Sequence, residues 1–226
     1  MKEGGSLFIW NLPKWNTYIS NILNKHLTFK NWIAVDIKYR LPIPNRLYPA
    51  HYGLLYYTKG NNVNVFNKER LNLETCRHCG GDIKDYGGYK SKLNTKGINL
   101  SDVWYDIPPV RHSKYKTRNS NQLSIKLLER IINLASNEND LIFDPFGGSG
   151  TTYITSEILK RRWVGIEIGS VDGIIDRFND TDFYKKYIKD IQSSKNMLFT
   201  EKIKKIRMEN GFWLPGENFQ QRENKI

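Results

Sequence analysis

Apolar and polar positions come in blocks along this 226-residue chain, and the period changes from block to block. Ser6-Leu7-Phe8-Ile9-Trp10 is a short apolar run, as in a buried strand. Pro13 stands where a helix would begin, and Trp15, Tyr18, Ile19, Ile22, Leu23 and Leu27 then recur at helical spacing. That spacing predicts an amphipathic helix over 14–27. Residues 31–39 and 52–58 read as two further strands. From Gly60 to about His112 no period is sustained, and Gly80-Gly81 and Gly87-Gly88 punctuate an irregular lobe.

Order returns at residue 121. Leu123, Leu127, Ile131 and Leu134 share one helix face, with Leu128, Ile132 and Ala135 beside it. Leu141-Ile142-Phe143 reads as a buried strand and residues 151–161 as a helix; Trp163 to Ile168 reads as a second strand. The chain beyond residue 180 is polar, lysine-rich and helical in places. Strands alternating with helices predict an α/β fold.

The chemistry concentrates between those two strands. Asp144-Pro145-Phe146-Gly147-Gly148-Ser149-Gly150-Thr151-Thr152 joins a strand to a helix. Its glycines suit a sharp turn whose backbone a ligand can approach. Glu167 closes the next strand, where a carboxylate can accept hydrogen bonds from the two hydroxyls of a ribose. A phosphate-binding loop would need Gly-Lys-Ser/Thr, and a nicotinamide fingerprint would need Gly-x-Gly-x-x-Gly; neither spacing occurs here. A turn with no ligand stays open, but an adenosyl cofactor lacking a polyphosphate fits best, since nothing in the turn offers a phosphate a positive group.

The nine-residue turn resembles the cofactor-binding motif of DNA methyltransferases that modify the exocyclic amines of adenine (N6) or cytosine (N4), in the beta-type motif order. The likeness extends over roughly residues 2–180. It takes in Lys2-Glu3-Gly4-Gly5-Ser6-Leu7-Phe8, His51-Tyr52-Gly53-Leu54-Leu55-Tyr56-Tyr57, Asn121-Gln122-Leu123 and Arg162-Trp163-Val164-Gly165-Ile166-Glu167. The resemblance implies a Rossmann-like methyltransferase sheet with an inserted target-recognition lobe, S-adenosylmethionine as cofactor, and methyl transfer to double-stranded DNA within a restriction–modification system or a phage. It implies that Asp144 and Phe146 meet the methionine part of the cofactor, that Gly147, Gly148 and Gly150 let it approach the backbone, that Glu167 holds the ribose, and that Asn121 opens the motif just before the turn. The expected divisions are 1–59 and 119–180 for two parts of the core, 60–118 for the lobe, and 181–226 for a basic tail.

That family's catalytic tetrapeptide is Asp, Asn or Ser, then Pro-Pro, then an aromatic. The polar side chain and a carbonyl accept the amine hydrogens, and the ring stacks on a base rotated out of the duplex. No such tetrapeptide occurs in the sequence. Ile107-Pro108-Pro109-Val110 reads as a loop, and Asn11-Leu12-Pro13 with Trp15 is a degenerate candidate. The expectation is a chain lacking the catalytic segment, so catalytic residues stay unassigned. A strand bearing that segment would lie beside the cofactor strand, in the middle of the sheet. A second polypeptide could supply it. A non-catalytic half of a split enzyme and an RNA methyltransferase are the alternatives.

Charge then sharpens the partner. The formal net charge is +12 and the isoelectric point about 9.5, which favours a polyanion. Lys84, Lys90, Lys92, Lys96, Arg111, Lys114, Lys116 and Arg118 interleave with Tyr86, Tyr89, Trp104 and Tyr115 in the lobe, suiting phosphates and unstacked bases. Lys90, Lys92, Lys96, Arg111 and Lys116 are the expected DNA contacts. Two cysteines, Cys76 and Cys79, are too few for a disulfide framework and predict a reducing, cytoplasmic setting. Cys76-Arg77-His78-Cys79 is half of a zinc knuckle, and spare or buried thiols are the expected reading, with no metal. No apolar run spans a bilayer, and the first residues do not read as a signal peptide.

Overall fold

The computed structural model describes residues 1–36, 43–45, 47–76, 78–81, 83, 85, 87–110 and 122–215. In chain order the strands and helices are β1 (Ser6–Asn11), α1 (Pro13–Leu23), β2 (Thr28–Asp36), β3 (His51–Thr58), β4 (Arg70–Leu71), β5 (Ile98–Asn99), β6 (Val103–Trp104), α2 (Ile125–Ala135), β7 (Leu141–Asp144), α3 (Thr151–Ile158), β8 (Arg162–Gly165), α4 (Asp172–Asn179), α5 (Thr181–Ser193) and α6 (Glu201–Glu209). They fall into two compact units, one of residues 1–67 with 101–189, the other of residues 68–100 with 190–226.

The first unit holds a four-stranded sheet in the order β1-β3-β2-β6. β3 lies between two antiparallel neighbours, with Leu54 opposite Trp10 on one side and Ile33 on the other. Its residues from Gly53 to Thr58 are all buried, which is why its sequence is a continuous rather than alternating apolar run. Aromatic pairs lie along its edges: Phe8 stacks on Tyr56 with ring centres 4.5 Å apart, and Trp10 on Tyr52 at 4.8 Å.

Helix α1 begins at Pro13, as its sequence predicts, but ends at Leu23 rather than at residue 27. It also turns a different face inward. Asn16 is fully buried and its amide donates to the Gly53 carbonyl at 2.9 Å, whereas Trp15, Tyr18 and Ile22 are exposed. Gly53 has no alternative here: a Cβ would lie 2.3 Å from the Asn16 amide nitrogen and 3.1 Å from the Trp32 ring.

The predicted strand 141–143 and helix 151–161 appear as β7 and α3, with α3 ending at Ile158; the strand predicted over 163–168 is β8. β7 and β8 pair in parallel, from Leu141 opposite Arg162 to Asp144 opposite Gly165. Among the described residues they form a sheet of their own, and the second edge of β7 has no ladder partner. α2 buries Leu127, Leu128, Ile132 and Leu134, as its periodicity predicts, and also Glu129 and Arg130. Arg130 grips Asp106 through two hydrogen bonds of 2.8 and 2.6 Å and lies over the Trp104 ring at 5.0 Å. Burial alone would raise the Asp106 carboxyl, but Arg130 and Lys126 more than reverse this and hold it well below the usual carboxylate range.

The second unit gathers a short antiparallel ladder, β4 with β5, around Leu198, Phe199 and Leu214. Leu73, Ile83, Leu93, Ile98, Ile203 and Trp213 pack against them. Residues from the lobe and from the chain's last stretch thus share one core. Arg207, expected as part of a solvated basic tail, is completely buried and donates to the carbonyls of Gly80, Gly81 and Trp213. None of the described helices is long and apolar enough to cross a membrane.

Candidate functional site

β7 ends at Asp144 and the chain reverses through Pro145 to Gly150 into α3. Three backbone hydrogen bonds shape the reversal. Gly147 N–H donates to the Ile166 carbonyl at 2.9 Å, Gly150 N–H to Gly147 at 2.8 Å, and Ile166 N–H to Asp144 at 3.2 Å. The Asp144 carboxylate accepts from Phe146 N–H at 3.0 Å, which folds Phe146 back over the strand end.

The glycines divide by reason. Gly148 (φ +51°) and Gly150 (φ +72°) take left-handed backbone that disfavours side chains. Around Gly148 a Cβ would meet almost nothing, so this backbone is open to a ligand. Gly147 is a glycine for an inward reason: a Cβ there would sit 2.4 Å from the Tyr153 hydroxyl. Gly165, in β8, is caught by the same ring, with a Cβ 2.1 Å from it. Tyr153 of α3 is the wedge between the two strand ends. Its hydroxyl donates to Asp144 at 3.0 Å, with the Ile166 carbonyl at 3.3 Å, and its ring stacks on Trp163 at 4.9 Å. Burial, reinforced by the Asp144 carboxylate, pushes the Tyr153 hydroxyl above its ordinary value, so it remains a donor.

Glu167, just past the end of β8, closes the site. One carboxylate oxygen accepts from Gly169 N–H at 2.8 Å and the other from Gly148 N–H. The Gly169 and Gly148 N–H groups hold this carboxyl below the usual range, so it is charged at neutral pH. Each oxygen keeps lone-pair capacity for another donor. Phe146 is 87 % exposed at the mouth of the turn. Asp144, Phe146, Gly147, Gly148, Gly150 and Glu167 therefore meet at one place. Asn121 lies outside the described residues.

The expected DNA contacts are dispersed. Lys92 and Lys96 are exposed, and Lys90 is half-buried with its amine 5.6 Å from the centre of the Trp213 ring. Lys92 lies over Tyr89 at 5.1 Å, and Tyr89 is itself exposed. Arg111 and Lys116 lie outside the described residues. Trp104 cannot stack on a base, since it is buried and Arg130 lies over its ring. Pro108 and Pro109 are exposed in a loop, as their sequence context predicts. The Asn11 side chain is engaged with its own neighbour, accepting from Leu12 N–H at 2.8 Å. Cys76 and Cys79 are both exposed, which corrects the expectation of buried thiols. Tyr153 was missed as a site-shaping residue, because its two glycine partners lie six residues before it and twelve after it in sequence.

A protein-family model described as "DNA methylase" matches residues 1–175. The type II methyltransferase M.BamHI of Bacillus amyloliquefaciens is 54% identical over 223 residues, covering 99% of this chain and 53% of that protein. M.HpaI of Haemophilus parainfluenzae is 30% identical over 74% of this chain and 51% of its own length. The chain thus spans about half the length of these curated relatives. Among solved structures, an M1.HpyAVI–SAM complex matches with a TM-score of 0.55 at 23% identity, over 79% of this chain and 75% of that one. The PvuII cytosine-N4-specific DNA methyltransferase matches with a TM-score of 0.56 at 18% identity, over 84% and 70%. These likenesses agree with the α/β, Rossmann-like architecture that the sequence predicts.

Proposed function

The chain belongs to the DNA methylase family, and from that premise we propose that it carries the S-adenosylmethionine site of an amino-methyltransferase acting on adenine N6 or cytosine N4 of double-stranded DNA. The observation that carries this reading is the glycine turn between β7 and α3, fastened to the carboxylate at the end of β8. Such a turn offers backbone to a compact, cationic ligand, and the anionic Glu167 suits both the positive charge and a ribose diol. Asp144 and the exposed Phe146 ring flank the place where the methionine part would lie, and Asn121 would approach from the preceding segment. S-adenosylmethionine supplies an electrophilic methyl group on sulfur, and the transfer needs no metal. The residues of this chain bind and orient that group. Lys90, Lys92, Lys96, Arg111 and Lys116 would hold phosphates, and the unit that contains the first three is the proposed target-recognition lobe.

The reading includes a division of labour. The amine-activating Asx-Pro-Pro-aromatic segment does not occur in these residues, so it must come from polypeptide outside them, joined or separate. The β7–β8 pair supports this. Leu141 and Phe143 of β7, Val164 of β8 and the following Ile166 and Ile168 are exposed, and the far edge of β7 has no partner among the described residues. Parallel strands are ordinarily covered on both faces, and an open apolar edge invites a strand. A strand bearing the catalytic segment would fill that place. Type II relatives favour a restriction–modification role for the assembled enzyme.

Calorimetry with S-adenosylmethionine tests the site. The parent should bind, and Glu167→Ala should weaken binding by about tenfold or more, the worth of a charged hydrogen bond. Parent-like binding by that variant would sink the assignment. Labelled methyl transfer to unmethylated duplex DNA tests the division. The chain alone should give none, and adding the catalytic segment should restore it. Robust turnover by the chain alone would overturn the division and make Asn11→Ala the next variant.

A further inference from the structure

We propose that Cys76 and Cys79 supply two sulfur ligands of a zinc site in the second unit, a role independent of the cofactor reading. The two thiols sit on one tight turn. Gly80 N–H donates to the Cys76 carbonyl at 2.9 Å, and Gly80 (φ +70°) and Gly81 (φ +22°) carry the chain out of it in left-handed backbone. The Cys76 sulfur faces the backbone N–H groups of Cys79 and His78 and the Cys79 thiol, which together favour its thiolate. Two sulfurs spaced Cys-x-x-Cys, with backbone N–H groups aimed at the first, are disposed to hold one thiophilic ion in common.

The turn is also braced from behind. The guanidinium of the fully buried Arg207 donates to the Gly80 and Gly81 carbonyls and, on its other side, to the Trp213 carbonyl at 2.9 and 2.8 Å. It lies 4.7 Å from the centre of the Phe199 ring and 5.5 Å from that of Phe212. A buried arginine spent on loop carbonyls fixes the turn's conformation, while both thiols stay exposed to solvent. The loop is therefore arranged for the ion before any ion arrives. Cys76 and Cys79 account for half of a tetrahedral set. Among the described residues no group of three or more His, Cys, Asp or Glu gathers, so the other two positions belong to ligands outside them or to solvent.

The test uses the whole chain, purified without chelators and under reductant, with three measurements. Metal analysis should find one zinc ion per chain. Alkylation should leave both thiols protected until a chelator is added, after which both react; this readout needs no variant. Cys79→Ser should lose the zinc while binding S-adenosylmethionine like the parent, since that site lies in the other unit. A chain free of zinc after zinc addition overturns the proposal. So do thiols that alkylate equally with and without chelator, zinc retained by Cys79→Ser, and a Cys76–Cys79 disulfide as the sole species of the pair in the reduced preparation.

Discussion

β3 and β7 are written alike in the sequence, each a short apolar run ahead of a turn, and they end in opposite surroundings. Leu55 of β3 is wholly buried, with a hydrogen-bonded strand on either side. Phe143 of β7 is 58 % exposed, with a strand on one side and, among the described residues, none on the other. The apolar pattern encodes a demand for cover; whether the cover comes from this chain is decided by what else the chain contains. Around β3 the demand is met by β1, β2 and α1. Around β7 it is met on the α3 face by Tyr153 and left open on the other.

That contrast can be broken by substitution, beginning with the largest expected effect. Leu55→Ala should cost about 2–5 kcal/mol in urea unfolding, the usual cost of a core cavity. A loss under about 1 kcal/mol would mean that β3 is less enclosed than described. Arg130→Ala should cost about 3 kcal/mol, because it strips Asp106 of its bidentate partner and leaves Lys126 alone. The pH dependence fixes the sign. The Asp106 pKa is depressed in the folded state, so its contribution is fully present above the unfolded value of about 4 and is lost as pH falls towards the folded value. The parent should lose stability in that acid window more steeply than Arg130→Ala. Equal acid sensitivity would refute the role given to the pair.

Gly165→Val should cost about 1–3 kcal/mol, because the new Cβ meets the Tyr153 ring, and hydrogen exchange should loosen first in the β7–β8 pair. Loosening spread evenly over β3 as well would show the two sheets to be one cooperative body. Phe143→Ala is the small member of the series. It should change the stability of this chain by no more than about 0.5 kcal/mol, yet weaken its pairing with a polypeptide that supplies the catalytic segment. A large stability loss in the isolated chain would show that the face is already covered.

The sequence was legible where a periodic pattern had a local cause. β1, β3, β7 and α2 fall within a few residues of their apolar runs, and the glycine turn with Glu167 assembles where spacing placed it. It misled where burial depended on distant chain. The apolar stripe Trp15, Tyr18 and Ile22 predicted an inward face for α1, but a single hydrogen bond from Asn16 to Gly53 turns the helix the other way. Trp104 read as a stacking residue because it lies among cations, and it is buried because Arg130, twenty-six residues on, lies across it. Arg207 read as tail charge because its acceptors, Gly80 and Gly81, are more than a hundred residues away. Backbone carbonyls carry no sequence signature, so no pattern could announce that bond.

Glu167 has a further consequence, in the time domain. Its carboxylate already ties the turn after β7 to the segment after β8. The two loops are therefore registered to one another in the absence of any cofactor. A ligand meeting such a turn has little searching left to ask of the backbone, so capture should be limited by encounter and release by the ligand's own contacts. The Gly148 amide becomes a clock for this arrangement: its proton can leave only when the carboxylate lets go, and the opening frequency of the pocket mouth is written in that one exchange rate.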